Sequence, residues 1–401
     1  MSVSETILRV AARGDGVTEG GRHVAFTAPG DTVSGDVITP GPHHQTPPCR
    51  HFPQCGGCQL QHLDEASYSD FVEQRVRDAL HAQGLDAAIR PATISPPRSR
   101  RRATLHAERV GKRVILGFSE SGSHALVDIA ECHVLLPELF ALVAPLRVML
   151  ANVLKAKGRT DIHLAAIDQG VDLLIGGPAH DTLAAAEALT EFAIKHRLAR
   201  VSIDEGLGYE TRWEPEPATI TLGGVPVAVP PAAFLQATAH GEAALLTAVR
   251  EAIGPARLTA DLFAGLGTFA LSLPGKVYAG EAARDAILAL KSAASMAGRA
   301  VFAEHRDLFR RPLTTAELDR FEAVVLDPPR AGARDQIVNL APARVPRIAY
   351  VSCNPSSFAR DAKLLCEGGY RLDWVQPVGQ FIWSTHVELA AAFSRPDNPQ
   401  P

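Results

Sequence analysis

The sequence predicts an α/β protein whose last third is a doubly wound, mostly parallel sheet with an antiparallel last strand. An α+β central region and a small N-terminal β unit precede it. Three observations carry this expectation. From Ala239 onward, short apolar runs alternate with stretches of helical periodicity, the pattern of a sheet covered by helices on both faces. The glycine-containing Asp261-Leu-Phe-Ala-Gly265-Leu-Gly267 follows the first run. The last parallel run ends at Tyr350-Val-Ser-Cys-Asn-Pro355, at the sheet edge where open α/β folds place their ligands.

The 401 residues suffice for roughly two or three domains, and 46% hydrophobic with 21% charged residues is ordinary for a soluble globular protein. No run approaches a membrane span and no basic-then-apolar leader opens the chain, so the expected compartment is the cytoplasm and no membrane partner is expected. A net charge of −4 excludes a surface uniformly coated for polyanions; a nucleic-acid role must rest on a local patch. Six cysteines, at 49, 55, 58, 132, 353 and 366, are spaced too unevenly for a disulfide framework.

Residues 4 to about 38 alternate polar and apolar positions between glycine turns, which suits three short antiparallel strands leaning on the rest of the protein. Thr39 to Pro48 reads as a proline-rich linker, with His43 and His44 exposed on it. Then comes Cys49-Arg-His-Phe-Pro-Gln-Cys55-Gly-Gly-Cys58-Gln-Leu-Gln-His62. Three thiols this close are metal or cluster ligands more often than chance neighbours, and Cys132 is the available fourth. Zinc and an iron–sulfur cluster both accept four thiolates, and the spacing does not separate them. His51 and His62 read as packing or hydrogen-bonding residues.

Tyr68 to Gln83 is amphipathic helix. From Arg98 to Arg113 seven cations stand against the single anion Glu108; the alternation predicts a hairpin, Arg102–Arg109 and Arg113–Phe118, with arginines on its exposed face as a phosphate-contacting surface. A helix (135–155), a hairpin (162–167 and 171–175), a helix (181–196) and a strand (201–204) complete a region without a catalytic constellation. Expected units are therefore 1–45, 46–232 and 233–401.

In the last third, a helix over 239–253 precedes parallel strands near 258, 277–280, 301–304, 323–326 and 348–351, with a helix over 283–297. Val387 to Phe393, reached from Tyr370 to Val375 without a crossover helix, should pair antiparallel. Glu281 ends the second strand, placed to accept hydrogen bonds from ribose hydroxyls, and the glycines permit close backbone approach. A nicotinamide cofactor is disfavoured because Ala270 replaces the third glycine of that fingerprint. Asp327-Pro-Pro-Arg330 holds a carboxylate rigidly at the same edge, and Asp307 follows the third strand. Cys353 sits where strand gives way to helix, and the helix N-terminus favours a thiolate; the bland reading is a buried apolar cysteine.

Gln236 in Phe234-Leu-Gln, Asp261-Leu-Phe-Ala-Gly-Leu-Gly, Asp327-Pro-Pro-Arg, Ser352-Cys-Asn-Pro and His386-Val-Glu388 occur in the order and spacing of the class I S-adenosylmethionine-dependent RNA uracil-C5 methyltransferases, which this chain resembles over nearly its whole length. The cysteine loop is similar to that of the bacterial 23S ribosomal RNA members. The resemblance implies a [4Fe–4S] cluster on Cys49, Cys55, Cys58 and Cys132, with zinc less favoured. It implies S-adenosylmethionine bound by Gln236, Phe263, Gly265, Thr268, Glu281, Asp307 and Asp327, where Thr268 replaces a polar amide of several members. Cys353 then adds to C6 of uracil, and Glu388 is the base that removes the C5 proton. The N-terminal unit resembles a shortened oligonucleotide-binding (TRAM-like) barrel.

The expected partner is RNA, 23S rRNA ahead of tRNA, in loop or single-stranded form because the base must leave its stack; the chain is expected to act as a monomer. A cytosine-C5 enzyme is disfavoured because Arg330 stands where those enzymes resemble a Pro-Pro-Cys pattern. The alternative from another class is a non-catalytic iron–sulfur RNA-binding protein with a merely structural Cys353.

Overall fold

The computed structural model describes residues 4–155, 159–177, 179 and 181–396; the outermost residues of the first and last expected units, 1–3 and 397–401, lie outside them. The largest sheet contains β1 (Leu258–Leu262), β2 (Lys276–Glu281), β3 (Val301–His305), β4 (Ala323–Leu326), β5 (Arg347–Ser352), β6 (Arg371–Gly379) and β7 (Glu388–Ser394). Their order is β3-β2-β1-β4-β5-β7-β6. β1 to β5 are parallel, and β7 is antiparallel to both β5 and β6.

The apolar runs of β4 and β5 serve two cores at once, because successive side chains point to opposite faces. Val324, Leu326, Ile348 and Tyr350 pack with the helix Glu65–His81, the helix Arg334–Leu340 and α3 (Pro355–Glu367). Ala323, Val325, Ala349 and Val351 pack with α1 (Ala239–Ile253) and α2 (Arg284–Met296). β7 splits the same way: Leu389, Ala391 and Phe393 join the first core, Ala390 and Ala392 the second. Small residues on that second face let α1 lie close across it.

Ala88–Ile89 and Thr93–Ile94 add parallel pairs at the outer edge of β6. With the helix Glu65–His81, they fold residues 65–94 onto the C-terminal sheet, interrupting the unit expected at 46–232. The central sheet orders its strands 126–128, 113–119, 102–110, 159–167, 170–176, 200–204 and 209–213. The helix expected over 135–155 is two, Pro137–Ala141 and Val143–Val153, and with Leu183–His196 they cover one face of this sheet. A hairpin, Thr219–Leu222 and Val225–Ala228, was not anticipated. It turns on Gly223 and Gly224, both at positive φ, and packs into the core beneath α2. At the N-terminus, five short strands rather than three form the sheet: 4–10, 16–18, 23–24, 32–34 and 37–39.

Candidate active site

The carboxyl edge of the C-terminal sheet opens into a cleft of about 1210 Å³ whose opposite wall is the central sheet. Cys353 leaves β5, and Glu388 opens β7. Because β7 runs antiparallel to β5, with Ser352 opposite Leu389, the start of one strand lies beside the end of the other. Thiol and carboxyl therefore line one cleft together with Asp327, Glu281, Gln236, Phe263, Gly265 and Thr268.

The loop after β1 is held by its backbone. Phe263 takes a left-handed conformation, φ 66°, while its N–H and that of Ala264 donate to Gly280 O; such a non-glycine residue costs roughly 1–3 kcal/mol. Gly265, φ 54°, faces open space in the cleft and donates its N–H to Glu281 Oε2 at 2.9 Å. Ala283 N–H donates to Glu281 Oε1 at 2.6 Å, fixing both carboxylate oxygens. Gly267 stands at φ 93°, a conformation that favours glycine, and a Cβ there would also stand 2.4 Å from the Leu290 side chain of α2. Asp261 is fully buried and accepts the Ala270 N–H, so it braces the loop from beneath. Asp307 is not brought to the cleft. Its carboxylate accepts the N–H groups of Phe309 and Arg310 in the turn after β3, and the cleft is bordered there by Leu308 and Phe309.

The acidic groups crowd one another. Burial first, then Asp327, pushes the Glu388 carboxyl up to about 8, against the opposing pull of Arg102. Burial and Glu281 raise Asp327 to about 7. Cys353 rises to about 11 through burial, Glu388 and Asp327, while its own backbone N–H and Arg330 oppose the rise. This corrects the expectation of a thiolate. Helix α3 does start beside the sulfur, at Pro355, but burial and two carboxyls outweigh it and keep the ligand-free thiol protonated.

The arginine-rich stretch is also corrected in part. Arg98, Lys112 and Arg113 are exposed, whereas the consecutive arginines 100–102 turn inward. Arg100 lies 4.9 Å from the Phe381 ring and Arg102 4.6 Å from that of Phe234, both beside the cleft. Arg101 is buried, bonds the Gln236 carbonyl through Nε and pairs with Glu242. These three and His386, which lines the cleft, were missed as site residues; their clustering in sequence was visible, their direction was not.

Cys49, Cys55, Cys58 and Cys132 line one small void of about 30 Å³ with Arg100 at its border, and all four are free thiols. Burial pushes Cys58 up to about 12 and raises Cys49 and Cys55, with mutual repulsion among the sulfurs adding to it. Among the described residues, no group of three or more His, Cys, Asp or Glu side chains is set for a metal ion. His51 accepts the Ala130 N–H, and His62 packs against Phe26, Phe52 and His44.

A sheet whose seven C-terminal strands lie in this order, reversed only at the last of them in the chain and carrying its acidic residues at the carboxyl edge, is a class I methyltransferase fold. The model of the tRNA (Uracil-5-)-methyltransferase family matches residues 285–395. An uncharacterized RNA methyltransferase of Zymomonas mobilis is 53% identical over 393 residues, 97% of this chain and 99% of that one. The 23S rRNA (uracil(1939)-C(5))-methyltransferase RlmD of Pectobacterium atrosepticum is 31% identical over 375 residues, 89% of this chain and 82% of that one. The chain belongs to the RNA uracil-C5 methyltransferase family and is an enzyme. Its fold superimposes on that of Pyrococcus abyssi tRNA (uracil-54, C5)-methyltransferase in complex with S-adenosyl-L-homocysteine, with a TM-score of 0.74, 21% identity and coverage of 98% and 100% of the two chains.

Proposed function

We propose that this enzyme methylates C5 of a uridine in 23S rRNA, in the cytoplasm, with S-adenosylmethionine as donor and Cys353 and Glu388 as catalytic residues. The observation that carries the reading is their meeting with Asp327 in one cleft. Gln236, Phe263, Gly265, Thr268, Glu281 and Asp327 would hold the donor, and a cation beside these crowded carboxyls relieves their repulsion. Asp307 shapes the turn that presents Phe309 to the cleft. Cys353 reacts as its thiolate: the S–H proton passes to solvent water, the sulfur electron pair bonds to C6 of the extruded base, and the ring electrons collect at C5 and the 4-carbonyl. When bound, S-adenosylmethionine supplies the methyl group that C5 takes. Glu388 then removes the C5 proton, and the S–C6 bond breaks with its electron pair returning to sulfur.

We further propose a [4Fe–4S] cluster on Cys49, Cys55, Cys58 and Cys132, supported by four free thiols around one void with a guanidinium at its border. It would supply no electrons to this reaction, which is redox-neutral; the chain uses it to tie the 49–58 loop to the segment around Cys132. The identity to the Pectobacterium enzyme favours 23S rRNA. Mapping 5-methyluridine in total RNA from cells with and without the protein tests this: loss from 23S rRNA is expected, and loss from tRNA alone would replace that substrate with the runner-up.

A further inference from the structure

Behind the cleft lies a chain of hydrogen bonds whose polarity is set from one end. Thr238, the N-cap of α1, directs its backbone N–H at Gln380 Oε1, 3.3 Å away. A backbone N–H only donates, so that end of the Gln380 amide is the oxygen. Gln380 Nε2 therefore donates to Gln236 Oε1 at 2.8 Å, which leaves Gln236 Nε2 to donate to Asp327 Oδ2 at 3.2 Å. Gln380 is buried, 1% exposed, and packs so tightly on α1 that a Cβ on Gly241 would stand 2.3 Å from its Cγ. The Gln236 backbone is held separately, by Arg101.

We propose that Gln380 is a positioning residue that locks Gln236 as a hydrogen-bond donor, so that one N–H steadies Asp327 and the other is offered to an acceptor oxygen of the bound ligand. The consequence for catalysis rests on the function proposed above; the relay itself does not. Gln380→Glu keeps the size and still accepts from Thr238. Once the new carboxyl is ionised its second oxygen can only accept, so the comparison is made at a pH above the new carboxyl's own midpoint. Gln236 must then turn its NH₂ toward residue 380 and its carbonyl toward Asp327. Gln380→Met removes the polarity without reversing it.

The test follows Asp327 in the ligand-free, full-length protein by carbon-13 NMR, comparing Gln380→Glu with Gln380→Met and repeating both in a Gln236→Met background. Asp261, Glu281, Cys353 and Glu388 face the same carboxyl and are unchanged throughout. Gln380→Glu is expected to raise the Asp327 midpoint more than Gln380→Met does, and the excess should shrink when Gln236 is Met. An excess of equal size in both backgrounds would mean that the new charge acts through space, and the proposal would fall.

Methyl transfer to an RNA transcript should drop roughly tenfold or more in kcat/KM for Gln380→Glu, the size of a lost hydrogen bond to a charged group, and less for Gln380→Met. Equal losses would indicate packing alone and also overturn it. If the wild type methylates no uridine while the Asp327 shifts behave as described, the relay stands and the proposed function fails. Should Gln380→Glu not fold, Gly241→Ala displaces the same amide without new charge. It is expected to raise the Asp327 midpoint, and an unchanged midpoint would overturn the relay.

Discussion

As the proposed base, Glu388 would act only when ionised, and burial with Asp327 pushes its carboxyl up to about 8, with Arg102 the cation that opposes the rise. Methyl transfer should therefore rise with pH through about 8 as Glu388 ionises, and rise again toward the Cys353 range near 11. Arg102→Met, by removing that cation, is expected to move the first rise to higher pH; a shift to lower pH would remove Glu388 from the profile. Glu388→Gln should leave a covalent protein–RNA adduct visible on denaturing gels, and Cys353→Ala should show neither adduct nor turnover while still binding RNA. Asp327 gives a stability signature of its own. A carboxyl raised to about 7 makes a contribution that is fully present below about pH 4, its unfolded range, and lost as pH rises through about 7. Ligand-free Asp327→Asn should thus match wild type in melting temperature near pH 4 and exceed it at pH 8. A wild-type advantage at pH 8 would contradict the crowding described here.

Among the elements, the parallel strands were the most legible: β4 and α1 begin and end where their periodicity placed them, and β7 pairs antiparallel as expected. β4 and β7 are continuous apolar signals with both faces buried, and α1 carries one buried apolar stripe along its 15 residues. The 219–228 hairpin and the 209–213 strand were not legible, since short segments with mixed polarity acquire their conformation from the surfaces they meet. One such junction is testable. Arg200 pairs bidentately with Asp172 at 2.9 and 2.7 Å and donates to Val229 O, all within a buried site. Arg200→Met strands Asp172 without its partner, and a loss of about 3–5 kcal/mol in chemical denaturation is expected. A loss under about 1 kcal/mol would place that pair outside the structural core.

At the scale of the whole molecule, the 49–58 loop and Cys132 line one void next to the inward Arg100, which also borders the active cleft; the proposed cluster would tie the two segments together. Anaerobically purified protein should carry about four irons per chain, and Cys132→Ser should lose them along with RNA binding before it loses the methyltransferase domain's own fold. Stoichiometric zinc in place of iron would reassign the site. No helix among the described residues is long and apolar enough to cross a membrane.

By itself the sequence determined the parallel core, the motif order and therefore the family, because these are written in local periodicity and in short runs whose chemistry is tied to strand ends. Only the tertiary structure decided that residues 100–102 point inward, that the Asp307 carboxylate caps the turn after β3, that Gly267 takes a positive φ against Leu290, and that burial with two carboxyls pushes the Cys353 thiol up. Each of these depends on groups brought together from distant parts of the chain. Burial and charge at such a point are sums over neighbours that no local pattern encodes.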